Sequence, residues 1–246
     1  MNELHGKVAL VTGGSRGIGA AIARALAARG ADVAITYVTG ADRAAEVVCD
    51  IKERGRRAIA IEADAADPAA VAAAVDETAE LLGRLDILVN NAGYFAAGAL
   101  CELGADEFDR MVAVNVRGPY TAVRAAQRHL GDGGRIISIG SQIAERAPFP
   151  GLALYALTKT ALAGLTRGLA RELGPKGITV NLVHPGPTDT DANRADRPES
   201  AGMAALTALG RYAEAGEIAD VVAFLASPGA GYVTGATVNA DGGWAA

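Results

Sequence analysis

Apolar positions along this chain follow two patterns that alternate from one end to the other. Short runs rich in Val, Ile and Leu are separated by longer, Ala-rich runs of helical length. The first pattern is typical of buried strands and the second of helices. A strand followed by a helix, repeated many times, predicts right-handed βαβ units on a parallel sheet.

The apolar runs predict seven strands, and the runs between them predict helices. Strands are expected at Val8–Val11, Val33–Tyr37, Ala58–Glu62, Ile87–Val89, Arg135–Ile139, Thr179–Val183 and Thr237–Asn239. Helices are expected at about 17–29, 41–54, 68–82, 105–130, 153–173 and 216–226, the fourth broken near Asn115. Because no repeat or linker interrupts the alternation, residues 1–246 are expected to form one α/β domain, a Rossmann-type doubly wound parallel sheet with helices on both faces.

One long stretch, Pro185–Gly216, fits neither pattern. Ligands of such sheets bind beyond the carboxyl ends of the strands, so an irregular segment after a late strand is placed to cover a site. Residues 187–212 are predicted to form a mobile substrate lid, with an apolar stripe and a charged part facing water. The stripe consists of Met203, Ala204, Ala205, Leu206 and Leu209. Alternatively, Leu206 and Leu209 only pack the loop onto the body.

Composition narrows the class of protein. Half of the 246 residues are hydrophobic but only 4% are aromatic, which predicts a large core of aliphatic side chains. The net charge of −5 gives no electrostatic footprint for nucleic acid. The amino terminus lacks a signal peptide's apolar segment, and Pro228 interrupts the longest uncharged run, so no membrane span is expected. Cys49 and Cys101 lack metal-ligand spacing and are expected to be reduced and at least partly buried, in a cytoplasmic protein.

The first strand runs into a glycine-rich turn, Thr12-Gly-Gly-Ser-Arg-Gly-Ile-Gly19, and then into a helix. Gly13 lets the chain leave the strand, Gly17 leaves room for a pyrophosphate, and Gly19 lets the helix pack closely on the sheet. A glycine-rich turn can exist without a ligand, but the flanking strand and helix favour a dinucleotide site. Its predicted contacts are Gly13, Ser15, Arg16, Gly17, Ile18 and Gly19.

The residue after the second strand bears on the choice of dinucleotide. Tyr37 stands where a NAD-binding fold places an acid for the ribose 2′-hydroxyl. Without that acid a 2′-phosphate meets no repulsion, and Arg16 could pair with it. The sequence therefore predicts that NADP(H) is preferred and NAD(H) possible, unless Arg16 is only a solvated loop cation.

Residues after the third and fourth strands complete the predicted cofactor site. Asp64 could accept a hydrogen bond from the adenine amino group or cap the next helix, although Asp67 is better placed as the cap. The run Asn91-Ala92-Gly93 could let a ring and ribose lie against the backbone, or it could be a simple turn.

Candidate catalytic residues follow. Tyr155 and Lys159 lie four residues apart, on one face of the predicted helix, where a lysine cation could lower the pKa of the phenol. Such pairs also occur by chance on surfaces. Ser141 follows the fifth strand, where its hydroxyl could bind a substrate carbonyl, or where it could be a turn residue.

These positions together resemble the classical short-chain dehydrogenase/reductase family over nearly the whole chain. The matching residues are Thr12-Gly-Gly-Ser-Arg-Gly-Ile-Gly19, Asn90-Asn-Ala-Gly93, Asn115, Ser141, Tyr155, Lys159 and Pro185-Gly-Pro-Thr188. The resemblance implies that Ser141 orients a carbonyl, Tyr155 exchanges the proton and Lys159 holds the nicotinamide ribose and lowers the Tyr155 pKa. Asn115 would support a water-linked proton relay, and the nicotinamide would lie near Pro185, Gly186 and Thr188. No metal is needed.

Three residues depart from what the resemblance suggests. Many NADP-preferring members carry a basic residue at one of these positions, but this chain has Val38 and Thr39 there. NAD therefore stays possible. His184, before the Pro-Gly pair, is expected to be structural or to line the substrate site.

The sequence therefore predicts reduction of an apolar ketone or 3-oxoacyl thioester, as in bacterial 3-oxoacyl-carrier-protein reductases. Alternatives are an NAD-dependent alcohol, sugar or steroid dehydrogenase, and a catalytically silent dinucleotide sensor. Apolar residues on the long helices predict a homotetramer, for example Ala122, Ala125, Ala126, Leu162, Leu165 and Leu169. An acyl carrier protein is a possible partner for a cationic surface of Arg124, Arg128, Arg171 and Lys176.

Overall fold

The computed structural model describes residues 2–246. Its strands are β1 (Val8–Val11), β2 (Asp32–Tyr37), β3 (Ala58–Glu62), β4 (Leu85–Asn90), β5 (Leu130–Ile139), β6 (Thr179–Pro185), β7 (Thr188–Asp189), β8 (Ala213–Glu214) and β9 (Thr237–Ala240). Its α-helices are α1 (Gly17–Ala28), α2 (Ala41–Glu53), α3 (Pro68–Leu82), α4 (Ala105–Val112), α5 (Gly118–Ala126), α6 (Ala153–Leu173), α7 (Ser200–Ala204) and α8 (Ala215–Ala226).

Seven strands form one parallel sheet in the order β3-β2-β1-β4-β5-β6-β9. The chain builds outward from β1 in one direction through β3, then returns to β4 on its other side. This reversal opens a crevice at the carboxyl ends of β1 and β4, the usual ligand position in such folds. The Rossmann-type doubly wound sheet predicted from the sequence is confirmed.

Alternate side chains of each strand enter two different cores. In β1, Ala9 and Val11 pack toward α1, α2 and α8, whereas Val8 and Leu10 pack toward α3, α5 and α6. Strands covered by helices on both faces need apolar residues at every position, which explains their unbroken Val, Ile and Leu runs. These cores fix the carboxyl edge of the sheet, on which the candidate site is built.

The predicted helix 105–130 is wrong at its carboxyl end. α4 ends at Val112, a π-helical turn covers Ala113–Arg117, and α5 ends at Ala126. Leu130 already belongs to the sheet, because it pairs with Leu85 at the start of β4. The predicted break near Asn115 is confirmed as the π-helical turn.

The apolar residues predicted to form the assembly surface do not lie on the surface. Ala122, Ala125, Ala126, Leu162 and Leu169 are buried in the chain's own core, and Leu165 packs against it. They are covered because α5 and α6 lie on the sheet beside α3. Cys49 and Cys101 are also unlike the prediction, since both are exposed.

The predicted cationic surface lies away from the crevice. Arg128 precedes β5 and Lys176 precedes β6, so both lie near the amino edge of the sheet, opposite the carboxyl edge. Arg128 also makes a bidentate ion pair with Asp76 of α3, at 3.0 and 2.6 Å. These cations are therefore poorly placed to guide a carrier toward the crevice.

Residues 187–212 cross the carboxyl edge of the sheet. They contain β7 and α7, and β7 pairs with β8 just beyond them. Met203 and Leu206 pack against Ile143, Leu152 and Trp244, whereas Leu209 is 66% exposed. The apolar stripe is thus divided, with one part anchoring the segment and another part facing outward.

Candidate active site

The turn after β1 requires glycine at the predicted positions. Gly13 and Gly17 have φ values of 64° and 53°, in the left-handed region that glycine adopts without strain. A Cβ on Gly19 would lie 2.3 Å from the Gly13 carbonyl oxygen and 2.4 Å from the Asn91 amide nitrogen. The bare backbone therefore lets α1 approach the end of β1.

Hydroxyl and amide side chains hold this turn in place. The Thr12 hydroxyl accepts from the backbone N–H groups of Asn91 and Ala92, each at 3.0 Å. The Asn91 amide donates to the carbonyls of Thr12 and Gly13, and the Thr36 hydroxyl accepts from the Gly13 N–H. Asn91 thus shapes the turn. Thr12 belongs to the motif quoted from the sequence but had no role there, and Thr36 was missed, although a Thr near the end of each strand was a visible signal.

The start of α1 suits an anion. Within the described chain, no side chain caps this helix and its first turn carries no acidic residue. By contrast, α3 is capped by Asp67, as predicted, and α8 by Glu214. The N–H groups of the first turn of α1 therefore have no competing carboxylate, and the cradle fits a dinucleotide pyrophosphate.

A basic residue missed by the sequence analysis lies after β2. Tyr37 is half-buried and Arg16 is exposed, while Arg43 in the first turn of α2 forms an ion pair with Asp191. The Thr190 methyl lies 3.4 Å from where a Cβ of Gly17 would be. Residues 190–191 therefore cross the rim of the cradle. The sequence signal for Arg43 was a cation in the first turn of the helix after β2.

The remaining predicted cofactor residues lie along the same edge. The Asp64 carboxylate accepts from the Ala66 N–H at 2.8 Å, closing a turn after β3. A Cβ on Gly93 would lie 3.4 Å from the Lys159 ammonium, which brings the end of β4 beside α6. Pro185 ends β6, and the Thr188 hydroxyl donates to the Gly186 carbonyl at 2.9 Å. Ser15 lies in the glycine turn, and Ile18 lies in the first turn of α1.

Asn115 ties three parts of the site together. Its amide oxygen accepts from the Tyr94 N–H and its amide nitrogen donates to the Tyr94 carbonyl, both at 2.8 Å. The same nitrogen donates to the Thr158 hydroxyl on α6 at 3.0 Å. The π-helical turn directs this buried side chain inward, so Asn115 fixes the loop after β4 against the helix that carries Tyr155 and Lys159.

Ser141, Tyr155 and Lys159 converge at the end of β5. The Ser141 hydroxyl accepts from the Ile143 N–H and donates to the Gln142 side-chain amide oxygen, Oε1, both at 3.2 Å. The Lys159 ammonium donates to the Ile139 carbonyl at 3.0 Å and lies 5.8 Å from the centre of the Tyr155 ring. All three side chains border the crevice predicted to hold the cofactor.

Burial dominates the pKa values of Tyr155 and Lys159, and the effect of Lys159 on the Tyr155 pKa stays a prediction. Burial raises the pKa of Tyr155 to about 12, only partly offset by a hydrogen bond with Ser141. Burial lowers the pKa of Lys159 to about 8, because a charged ammonium loses its hydration there. Tyr155 is therefore held as a neutral phenol, the form that can donate a proton.

Apolar side chains surround the phenol. Phe95 meets the Tyr155 ring edge-on, with ring centres 4.9 Å apart, and is 57% exposed. A backbone hydrogen bond between Gly98 and Gly151 holds the two loops that carry Phe95 and the exposed Phe149. The opening beside the candidate proton donor is therefore lined by aromatic surface.

Residues 2–246 contain no group of three or more His, Cys, Asp or Glu side chains that could hold a metal ion. None of their helices is long and apolar enough to cross a membrane.

Comparison with known proteins agrees with this geometry. The family model described as "Enoyl-(Acyl carrier protein) reductase" matches residues 13–245. The "Cyclic-di-GMP-binding biofilm dispersal mediator protein" of Escherichia coli is 45% identical over the full length of both chains. A short-chain dehydrogenase from Burkholderia cenocepacia, solved in complex with NADP, is 56% identical, with a TM-score of 0.98 and full coverage of both chains.

A ketoreductase structure is also similar. The angucycline C-6 ketoreductase LanV with bound NADP is 44% identical, with a TM-score of 0.94, covering 99% of this chain and 97% of that one. The likeness extends over the glycine cradle and the Ser141, Tyr155 and Lys159 cluster alike. The chain belongs to the short-chain dehydrogenase/reductase family of oxidoreductases.

Proposed function

We propose that this protein reduces an apolar ketone to a secondary alcohol with NADP(H). The observation that carries the proposal is a half-buried Tyr155 that converges with Ser141 and Lys159, at the crevice where a dinucleotide fits. The nicotinamide supplies the hydride when it is bound. The Ser141 hydroxyl holds the substrate oxygen, and the Tyr155 phenol donates a proton to that oxygen as negative charge develops there.

Lys159 and Asn115 support this reaction from behind the phenol. Lys159 has its ammonium anchored to the Ile139 carbonyl and faces the position of the nicotinamide ribose beside Gly93. Asn115 keeps α6 and the loop after β4 in register. The Tyr155 proton is replaced from solvent along this side of the site.

NADP(H) is proposed as the preferred cofactor. The solved relatives from Burkholderia cenocepacia and the LanV enzyme carry NADP. In this chain, Arg16 and Arg43 flank the cradle where a 2′-phosphate would extend, and Tyr37 offers no opposing carboxylate. Arg43 would exchange its pairing with Asp191 for the phosphate.

Replacing Arg43 by Ala is expected to reduce kcat/KM for NADPH by about 10- to 100-fold and to leave NADH within about twofold. A charge-assisted hydrogen bond to phosphate is worth about 1.5–3 kcal/mol, and only NADPH carries that phosphate. Arg54→Ala, at the other end of α2, is the matched control and should change neither value. Tyr37→Asp should reverse the preference. An equal loss with both cofactors would refute the phosphate contact.

The substrate is proposed to be apolar, with a 3-oxoacyl thioester as one candidate. Support comes from the exposed Phe95, which contacts the Tyr155 ring, and from Met203 and Leu206, which pack with Tyr155 against one apolar cluster and extend it into residues 187–212. We propose that this segment acts as the lid, with Leu209 turning inward over substrate. Because the predicted cationic surface lies away from the crevice, it does not support a carrier protein as partner.

The substrate proposal is tested by catalytic efficiency on an aryl ketone, a short 3-oxoacyl thioester, its carrier-linked form and a sugar. The aryl ketone and the short thioester should be reduced efficiently, with little gain from the carrier. A preference for the sugar would contradict the apolar substrate class, and a large gain from the carrier would assign the fatty-acid-type role.

A binding role is the second candidate, because one full-length relative is named for binding cyclic di-GMP. In that case the crevice would hold a signalling nucleotide and the catalytic side chains would be idle. Calorimetry with cyclic di-GMP, with and without NADPH, separates the two. Tight binding together with no ketone turnover would favour the sensor.

We also propose a homotetramer, now based on other residues. Phe108 of α4, Tyr120 of α5 and Leu157 of α6 are about half-exposed, which leaves apolar surface along this helical face. Light scattering at micromolar concentration should give four times the mass of the chain, and Leu157→Glu should lower it. A monomer mass for the unaltered protein would contradict the assembly.

A further inference from the structure

A buried histidine lies behind the candidate catalytic serine. His184 of β6 is completely buried, and its Nδ1 accepts a hydrogen bond from the Ser141 N–H at 2.9 Å. The contact depends on Gly140, because a Cβ there would lie 2.2 Å from Nδ1. Because Gly140 has no side chain, the His184 imidazole can occupy the space next to it.

The hydrogen bond fixes the protonation of the ring. Because Nδ1 accepts, the single proton of neutral His184 must be on Nε2. Among the described residues, Nε2 has no hydrogen-bond partner, and the Glu145 carboxylate is 3.6 Å away. The imidazole is therefore held mainly by its contact with Ser141 and not by a second polar anchor.

Ser141 is the residue that gains from this contact. Its backbone is extended, and its hydroxyl caps the short 3-10 helix Gln142–Ala144 by accepting from the Ile143 N–H, in the cluster with Tyr155 and Lys159. A shift of the Ser141 backbone would move the hydroxyl away from the phenol and from the substrate oxygen. Displacements of about 1 Å in such groups cost rate more than binding.

We propose that neutral His184 is a positioning residue that holds Ser141 in its reactive place through the Nδ1 hydrogen bond. This inference rests on the proposed ketone reduction. It adds a residue that does not touch substrate or cofactor but determines where the Ser141 hydroxyl stands. His184 would then depend on Gly140, since only a residue without a side chain at position 140 leaves room for the imidazole.

Protonation of the His184 ring at low pH should break the hydrogen bond between its Nδ1 and the Ser141 N–H. A second proton on the ring would sit on Nδ1 and face the Ser141 N–H, so two donors would oppose each other. Burial is the main cause that lowers the pKa of His184 below 6.5, with Lys159 acting in the same direction and Glu145 and Asp241 opposing it. The ring is therefore neutral at pH 7, and turnover should fall only as the pH drops below the ordinary histidine range.

Two substitutions separate positioning from packing. His184→Asn keeps an acceptor at the δ position on a smaller side chain, whereas His184→Leu keeps much of the bulk without an acceptor. We expect kcat of His184→Leu to fall about 10- to 100-fold, with KM for NADPH within about twofold. His184→Asn should retain most of kcat even if its melting temperature is lower, and should lack the acid limb of the pH profile.

The kinetic and melting data of the two variants distinguish a positioning role of His184 from a packing role. Unchanged kcat in His184→Leu, or equal losses in both variants that follow their melting temperatures, would overturn the positioning role. If neither variant folds, ¹⁵N NMR of the histidines in the unaltered protein replaces them, and a proton on Nδ1 at pH 7 would overturn it. Unaltered protein that reduces no ketone would instead overturn the proposed function, and this role with it.

Discussion

Replacing Tyr155 by Phe is expected to reduce turnover by about 10²- to 10⁴-fold, the usual contribution of a positioned general acid. The ring would still pack against Phe95, and only the hydroxyl would be lost. Burial keeps the phenol protonated, with a pKa of about 12, so at neutral pH it is a donor and not a base. Steady-state kinetics with an aryl ketone and NADPH measure the effect.

The same variant should bind NADPH almost as tightly as the unaltered protein, because Lys159 and the glycine cradle remain. Tyr232→Phe, which changes a fully exposed tyrosine, is the matched control and should leave turnover unchanged. If Tyr155→Phe kept more than about a tenth of the activity, another group would have to donate the proton.

Replacing Gly19 by Ala is expected to abolish measurable NADPH binding. The new methyl group would lie 2.3 Å from the Gly13 carbonyl and 2.4 Å from the Asn91 amide, so α1 and the glycine turn must move apart. The Asn91 amide would lose its two carbonyl acceptors, and the N–H groups of α1 would no longer converge on the pyrophosphate. The fluorescence of bound NADPH provides the readout.

Gly216→Ala is the matched control for that change. Gly216 also lies in the first turn of a helix, α8, but a Cβ there has no atom within 4 Å. Alanine favours helix over glycine by about 1 kcal/mol, so this variant should be as stable as the unaltered protein and bind NADPH normally. Normal NADPH binding by Gly19→Ala would contradict the cradle assigned to residues 13–19.

The sheet could be predicted because its strands are covered on both faces. Continuous apolar runs identify such strands without further information, and the glycine turn marks where the chain leaves β1. The end of α5 at Ala126 could not be predicted, because residues 127–134 contain no proline and their glycines all come after Leu130. Only the pairing of Leu130 with Leu85 assigns Leu130 to β5. That pairing is a tertiary contact.

The sequence predicted residues that the structure brings together at one edge of the sheet, but not their energetics. Ser141, Tyr155 and Lys159 were identified from their spacing, yet the direction of the Tyr155 pKa shift depends on burial, which a sequence does not state. The role proposed for His184 depends on a partner 43 residues away along the chain, Ser141. Spacing rules of local motifs do not reach that far.

Ketone reduction can be followed through the transfer of deuterium from NADPH labelled on the nicotinamide ring at C4, on the face from which hydride is transferred. The protein would be incubated with the labelled cofactor and an aryl ketone, and the products analysed by mass spectrometry. Ketone reduction predicts an alcohol with one deuterium on the carbinol carbon, formed in equal amount to NADP⁺. No labelled alcohol from any ketone of the panel, with the labelled NADPH bound but unconsumed, would contradict it.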